Sequence, residues 1–528
     1  MTLNYTFLSI YHIAKADFLQ RTRSYYFLIA LGVCIFIIYS FVPPIGANYT
    51  MVSLGNYRGF YNSAWIGSMV AMCVPFFALI GFYVVNNAVK RDTDTRVGQI
   101  IATTRITKLQ YLTGKLLSNF AVLMTILIII AMMTVVMFFV RGETSHVELG
   151  KLLLPFLFLT APSMFIIAAL ALFFDSLTAS NRGIINIAYF FLWILIIANS
   201  RNSQSTDVLG MQTGMADISN AISTQHSDWN GDHGTGILIT KSHTPRKVFI
   251  WEGMNWTRTI FLQRLFWVSI AFGLVLMASF FFKRFDTTES KERKQRLIWL
   301  FKRKECPVED HYKPAQMHYK NLPIVEHRFS FLNLVHAELL LMLRGNSYLW
   351  LILTLGMFIT SIFTPMEFSY KVALPLLWFL QILILSKLGS REVTHRCNEY
   401  IFSSAFPLRR QLPATLSASV LILLTLAIPL LLKVLFTGDL YGVYAIIGGA
   451  VFIPSFAITS GILTGGSKFF EVIFTIIVYG ILDGIPYIDF TGAIPGSREL
   501  GVANYLLTIT ALLLILAFLG RKRQITHA

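Results

Sequence analysis

Charge is what this sequence has least of. Only 13% of its 528 residues are Asp, Glu, Lys or Arg, against roughly 25% in soluble domains. Fifty-five per cent are hydrophobic and the mean hydropathy is +0.62, which excludes an ordinary soluble domain and points to an integral membrane protein. Acidic residues are the scarcer sign, 27 against 44 basic ones, for a net +17. In a soluble chain that excess would suggest nucleic acid, but here the basic residues must first be tested against membrane topology. Cysteine is also scarce. Cys34, Cys73, Cys306 and Cys397 show no paired spacing, so no disulfide or metal framework is expected. A short apolar region with a small-residue cleavage site is missing from the N-terminus, so the first apolar run is expected to be a retained span.

What the chain has in quantity is long apolar runs. Twelve approach the roughly 20 residues that cross a bilayer: about 25–42, 63–85, 117–140, 152–174, 184–199 and 260–282, then 348–365, 372–386, 414–436, 441–463, 469–482 and 502–520. With the N-terminus inside, the short inner segments hold 19 Lys and Arg, and the segment joining the two sets of six holds 13 more. The short outer loops hold five: Arg58, Arg141, Lys151, Lys371 and Arg498. This bias predicts both termini in the cytoplasm and accounts for most of the net charge without nucleic acid. The expected fold is an all-α membrane protein of about 12 spans. A first six-helix half covers 1–282, with an outer loop at 200–259. A basic cytoplasmic linker covers 283–330, where Leu297, Ile298, Leu300 and Phe301 suit the inner leaflet, and a second six-helix half covers 331–528.

The halves repeat one another. "RDTDTRVGQIIATTRIT" (Arg91 to Thr107) and "REVTHRCNEYIFSSAFP" (Arg391 to Pro407) occupy the same place between second and third spans. Arg91 falls on Arg391, Asp92 on Glu392, Arg96 on Arg396, Ile101 on Ile401 and Thr103-Thr104 on Ser403-Ser404. Ahead of the first spans, Arg21 aligns with Arg344; in the fourth, Pro162-Ser163 aligns with Pro454-Ser455. Stretches at Phe7-Tyr11-Ala14-Phe18 and Phe331-Leu334-Val335-Glu338 have partial helical apolar spacing and suit interfacial helices. The order of these matches predicts a duplicated six-helix unit with parallel topology.

Six plus six spans suggest a transporter, and the missing motifs bear on its energy source. No Asp, Glu or His pair stands in mid-span to bind a coupling ion; Lys433 and Arg264 lie where they can snorkel. No GxxxxGK[ST] loop is present either. "GILTGGSKF" (Gly461 to Phe469) lacks Lys after its last Gly and reads as a tight turn between spans. Any ATPase is expected in a separate subunit, and no catalysis or cofactor in this chain. In both repeated loops apolar residues recur at helical spacing among Arg and Asp or Glu: Val97, Ile100 and Ile101, then Cys397, Tyr400 and Ile401. Such knobs suit docking of a cytosolic partner, and two copies suit a partner that is itself a two-fold dimer.

"RDTDTRVGQIIATTRITKLQYLTGKLLSNFAVL" resembles the loop and third span of ABC-2 type exporter permeases (type V exporters). Gly98, Ile106-Thr107-Lys108 and Gly114-Lys115 fill that family's loop Gly, turn and helix-opening Gly-Lys. Arg105 replaces the usual Pro of the turn, and Asn398 replaces the Gly in the second copy. The resemblance implies a permease in a bacterial cytoplasmic membrane. Two copies of an ATP-binding subunit, carrying ATP and Mg, would dock at Arg91, Asp92, Arg96, Val97, Ile100, Ile101, Arg391, Glu392, Arg396, Tyr400 and Ile401. It also implies a secondary contact through Asp175, Arg182 and Lys468, and short outer helices capping the pathway. An amphipathic, lipid-like, peptide or drug cargo fits the Phe-, Met- and Ile-rich bundle. The alternatives are an ion-coupled secondary transporter and a membrane-embedded enzyme. In the outer loop, "HSDWNGDHG" (His226 to Gly234) offers Asp228, Asn230 and Asp232 as the start of a calcium loop, but position twelve is Ile239, so a polar, turn-rich segment is the stronger reading.

Overall fold

The computed structural model describes residues 2–47, 49–177, 182–202, 206–239, 246–282, 285, 330–344, 346–404, 406–494 and 496–527. Most of the linker lies outside these residues, including Leu297, Ile298, Leu300 and Phe301.

The first half opens with α1 (Thr2–Thr22) and α2 (Tyr25–Phe41), separated where Ser24 leaves helical geometry and its Oγ accepts from Phe27 N–H. α3 (Ser63–Met72) and α4 (Val74–Val85) follow, then two short helices, α5 (Ala88–Asp94) and α6 (Val97–Ala102). α7 (Lys108–Arg141) starts in a capping box between Thr107 and Gln110. α8 (Leu149–Pro155) and α9 (Ala161–Leu177) are joined through a π turn, and α10 (Arg182–Asn202), α11 (Met211–Gln225) and α12 (Arg258–Phe281) complete the half. The second half comprises α13 (Phe331–Leu343), α14 (Tyr348–Phe363), three pieces α15 (Met366–Phe368), α16 (Leu374–Leu380) and α17 (Ile382–Leu385), short helices α18 (Arg391–Thr394) and α19 (Asn398–Phe402), then α20 (Pro407–Phe436), α21 (Leu440–Thr464), α22 (Lys468–Leu482) and α23 (Val502–His527).

Each of the twelve apolar stretches falls on helix, but in unequal pieces. Among the described residues seven helices are long and apolar enough to cross a membrane, or nine if two bent pairs each count as one. The breaks have local causes. Pro75 opens α4 where the α3–α4 pair bends by 51°, and Pro155 and Pro375 each border a π turn. α2, α10 and α22 are shorter or less uniformly apolar than a full span requires.

Two helices bury charge while exposing large apolar side chains. α1 buries Asp17 and Arg21 against the bundle and exposes Phe7, Leu8 and Tyr11; α13 buries Glu338 between Val335 and Met342 and exposes Leu332, Leu340 and Leu341. In water that arrangement would be unstable, since apolar faces turn inward. Around it the long helices also expose large apolar side chains, such as Phe139, Phe280 and Phe363. These faces fit apolar surroundings, as for an integral membrane protein. α13 meets α14 at 108°.

The helix pairings are duplicated. α1 packs on α7 as α13 packs on α20, and α9 packs on α12 as α21 packs on α23. Ser163 and Ser455, both fully buried, each donate to the carbonyl four residues back, at 2.9 and 2.7 Å. The Arg21–Arg344 match does not survive: Arg21 is buried, whereas Arg344 is exposed just beyond α13.

The connections that carry strands depart from the all-α expectation. β1 (Tyr49–Ser53) pairs antiparallel with β3 (Gly234–Ile239), and β2 (Tyr57–Gly59) pairs in parallel with β4 (Lys247–Phe249). The 200–259 segment thus contains α11 and the strands β3 and β4, which fasten it to the connection between α2 and α3. A Cβ at Gly59 would fall about 2.0 Å from the Trp65 ring, so only glycine lets β2 lie over α3.

Candidate functional site

The two repeated loops have the same build. α5 and α6 are separated by Arg96 at φ +61°; α18 and α19 are separated within a turn centred on Arg396 at φ +53°. Few non-glycine residues adopt the left-handed region, so an arginine there at both equivalent positions is a shared signature of the fold.

Each loop is anchored through its Arg-acid pair. In the first, Arg91 pairs with Asp17 of α1, and Asp92 accepts from Tyr111 Oη and Lys115 Nζ of α7, both at 2.7 Å. Asp17 also takes Lys115 Nζ and Ser118 Oγ at 2.7 Å and faces Arg21 Nε at 3.0 Å. Burial alone would raise the Asp17 carboxyl, but Arg21, Lys115 and Arg91 together hold it well below the usual carboxylate range. In the second loop Arg391 pairs with Glu338 of α13 at 2.7 Å. Glu392 accepts from Gln411 of α20 at 3.0 Å and from Arg521 of α23 at 3.3 Å. Tyr111 and Gln411 each stand 19 residues beyond the acid they hold.

The expected docking residues divide by exposure. Asp92 and Glu392 are 7% and 4% exposed and face the bundle; Arg91 and Arg391 are half-buried in the same anchors. Asp17 and Asp92 share three cations, Arg21, Arg91 and Lys115, and turning Asp92 outward would leave buried positive charge uncompensated. What the loops present outward is Arg96, Val97 and Ile100, and Arg396 and Tyr400, with Ile100 68% and Tyr400 90% exposed. Ile101 and Ile401 are half-buried. Gly98 is buried beneath Phe285, whose ring would lie 2.3 Å from an added Cβ; its counterpart Asn398 is half-buried.

The predicted secondary contacts also turn inward. Asp175 is buried at the end of α9, where Oδ2 accepts from Val89 N–H at 2.6 Å and caps α5. Lys468 donates to the Tyr83 carbonyl at 3.3 Å, across the two halves. Arg182 opens α10, but its side chain lies outside the described residues.

Lys468 belongs to a seam that the sequence reading missed. α22 of the second half packs on α4, and α10 of the first half packs on α17, a reciprocal exchange between the halves. At the loop end of the seam Asn86 donates to Asn186 Oδ1 at 3.0 Å, Asn186 donates to Glu471 Oε2 at 2.8 Å, and Thr475 Oγ1 donates to Tyr83 Oη at 3.3 Å. Farther along, Trp193 meets Tyr479 edge-on at 4.6 Å and Phe190 meets Phe379 at 4.3 Å. Pairings between residues this distant in sequence carry no local pattern; the only hint was an acid, Glu471, at the start of an apolar run.

The chain matches no protein-family model, no curated protein and no solved structure.

Two further cations differ from expectation. Lys433 does not snorkel: its Nζ donates to the Ser361 and Thr364 carbonyls at 2.7 Å and to Ser369 Oγ at 3.2 Å, closing the end of α14. Arg264 is 4% exposed and donates to the Val208 carbonyl at 3.1 Å and Thr213 Oγ1 at 3.0 Å, with Asp207 at 3.5 Å. Asp207 itself accepts from Gly210 and Thr213 N–H, both at 2.8 Å, and so caps α11. In "HSDWNGDHG", Asp228 is engaged by Tyr57 at 2.6 Å and by Lys247 at 2.5 Å. Among the described residues no group of three or more His, Cys, Asp or Glu side chains is arranged to hold a metal.

Proposed function

We propose that the chain is the transmembrane permease subunit of an ATP-driven exporter of the ABC-2 type. Its twelve helical stretches act as two six-span halves in a bacterial cytoplasmic membrane with both termini inside, and each repeated loop seats one copy of a cytosolic ATP-binding subunit. The observation that carries this reading is the paired loop geometry: two helix-turn-helix platforms, each turned by a left-handed arginine and anchored to a surface helix through an Arg-acid pair. A rigid anchor beneath an exposed apolar knob suits a surface that must transmit force. Closure of the partner dimer on ATP would draw the platforms together and slide the α4–α22 and α10–α17 contacts that form the boundary of the halves. Repeat boundaries are where transport sites lie. The cargo on this reading is amphipathic, and ATP and Mg belong to the partner.

The test is co-purification from the native membrane followed by mass spectrometry and an ATPase assay. About two ATP-binding subunits per chain are expected from the two platforms. The double variant Ile100→Glu and Tyr400→Glu changes only exposed side chains, so it should insert normally and lose the partner; an unchanged complex would count against the reading. One observation favours an ion-coupled carrier instead. Glu471 is a titratable group 9% exposed on the boundary between the halves, the kind of residue such a carrier needs. A chain that takes up substrate with protons or sodium and no ATPase would decide for it.

A further inference from the structure

An open cleft of about 440 Å³ lies beside α1, α2, α4, α5 and the start of α22. Its two ends differ in character. Arg21, Arg91 and Lys468 stand at the polar end, with Asp94 as the acid among the lining residues. Phe27, Ala30, Val33, Ile80, Val472 and Ile473 line the apolar end. Its volume falls in the range of small-ligand sites.

The polar end is short of partners for the groups it already holds. Arg21 is 7% exposed; Nη1 donates to the Val85 carbonyl at 2.8 Å and Nε faces Asp17, while Nη2 is buried with no hydrogen-bond partner. Arg91 Nε and Asn87 Oδ1 are likewise buried and unpartnered. A buried guanidinium N–H left unbonded is destabilising, so the cleft suits acceptor oxygens. Asp17, Asp92 and Asp175 balance the nearby cations, but none of the three lines the cleft. The Asn87 oxygen asks for a donor beside those acceptors.

We propose that this cleft binds a phosphate-headed anionic amphiphile, with phosphate oxygens on Arg21 Nη2, Arg91 and Lys468, a headgroup hydroxyl on Asn87, and an acyl chain along Phe27, Ala30 and Val33. Arginine suits the phosphate, since its planar N–H groups match two oxygens at once. The apolar end requires the chain: a free phosphate would leave it empty of contacts. The site deepens the exporter reading by naming the class of molecule handled, and it rests on that reading only for the direction of movement. Binding itself requires no ATP-binding subunit.

The test uses the full-length chain, purified in a neutral detergent without any ATPase. Tail-labelled phosphatidylglycerol is titrated in and competed with dihexanoyl phosphatidylglycerol, dihexanoyl phosphatidylcholine and inorganic phosphate. One labelled lipid per chain is expected, displaced by the short anionic lipid and at least tenfold less well by the choline lipid. Lys468→Gln should weaken binding on the order of tenfold, the loss of one charge-assisted bond. Ala30→Trp fills the apolar end without touching the charged network and should abolish binding while the chain stays monodisperse. Equal competition by the choline lipid, or labelled binding that survives Ala30→Trp, would overturn the proposal; so would inorganic phosphate competing as well as the short lipid, which would make this a free-phosphate site. ATPase co-purification without lipid binding would sink this site and leave the exporter reading standing. Lipid binding without an ATPase would do the reverse.

Discussion

Asn186 and Glu471 lie 285 residues apart in the chain and 2.8 Å apart in the fold. Through that bond the first half holds the second at the loop end of their common boundary. Asn186→Leu should strand the Glu471 carboxylate in a site that excludes water. A loss of about 1–3 kcal/mol is expected from an orphaned buried acceptor, read as a lower unfolding temperature in detergent, with Glu471→Gln in the same background recovering part of it. No change on Asn186→Leu would mean that water reaches the seam.

The two left-handed arginines make a paired prediction. A β-branched residue is a true outlier at positive φ, so Arg96→Val and Arg396→Val should each destabilise their loop by about 1–2 kcal/mol. Arg96→Gly and Arg396→Gly should be close to neutral, because glycine adopts this region freely. Limited proteolysis of the loops, scored as cleavage rate per variant, separates the two outcomes.

Asp17 sets an acid limit. Its folded carboxyl lies well below the unfolded value of about 3.9, because burial is outweighed by Arg21, Lys115 and Arg91. A depressed acid contributes stability above its unfolded value and loses it as pH falls toward the folded one. The α1–α7 contact should therefore hold at neutral pH and loosen as pH drops below about 4. Hydrogen exchange of α1 across that range should show the change in the native chain and a weaker dependence in Asp17→Asn.

Arg264 and Asp207 should behave as a unit. Arg264→Leu removes the cation beside a carboxylate that is fully buried, and breaking a buried pair in this way costs about 3–5 kcal/mol. The loss should be local at first, seen as faster exchange in α11, which Asp207 caps. Replacing both residues, Arg264→Leu with Asp207→Asn, should restore much of the stability, since no uncompensated charge is left.

The sequence carried the helical stretches and the repeat because both are periodic or local signals: apolar runs of set length, and matched residues at one spacing. It carried less of the loops' orientation. Arg91 and Asp92 look alike in a charged run, yet one is half-buried and the other wholly so, because their partners Asp17, Tyr111 and Lys115 come from other helices. A pointer was available in Asp17 and Arg21, an i, i+4 pair on a helix whose other face is apolar, which marks a charged face turned inward. Glu392 was harder, since Arg521 arrives from the far end of the half. The strands were hidden for a related reason: β1 finds its partner in β3, about 185 positions away, and neither strand is long enough to show alternation.

The two loop anchors also differ in when they can be made. Everything that holds Asp92 is present once the ribosome has passed Lys115, so the first platform can set while most of the chain is still unmade. Glu392 draws its cation from Arg521, in the last helix described. During synthesis the second platform must wait through more than a hundred residues with Gln411 on its acid but Arg521 still to come. The finished form of that loop is thus a report that α23 has been made and packed in place.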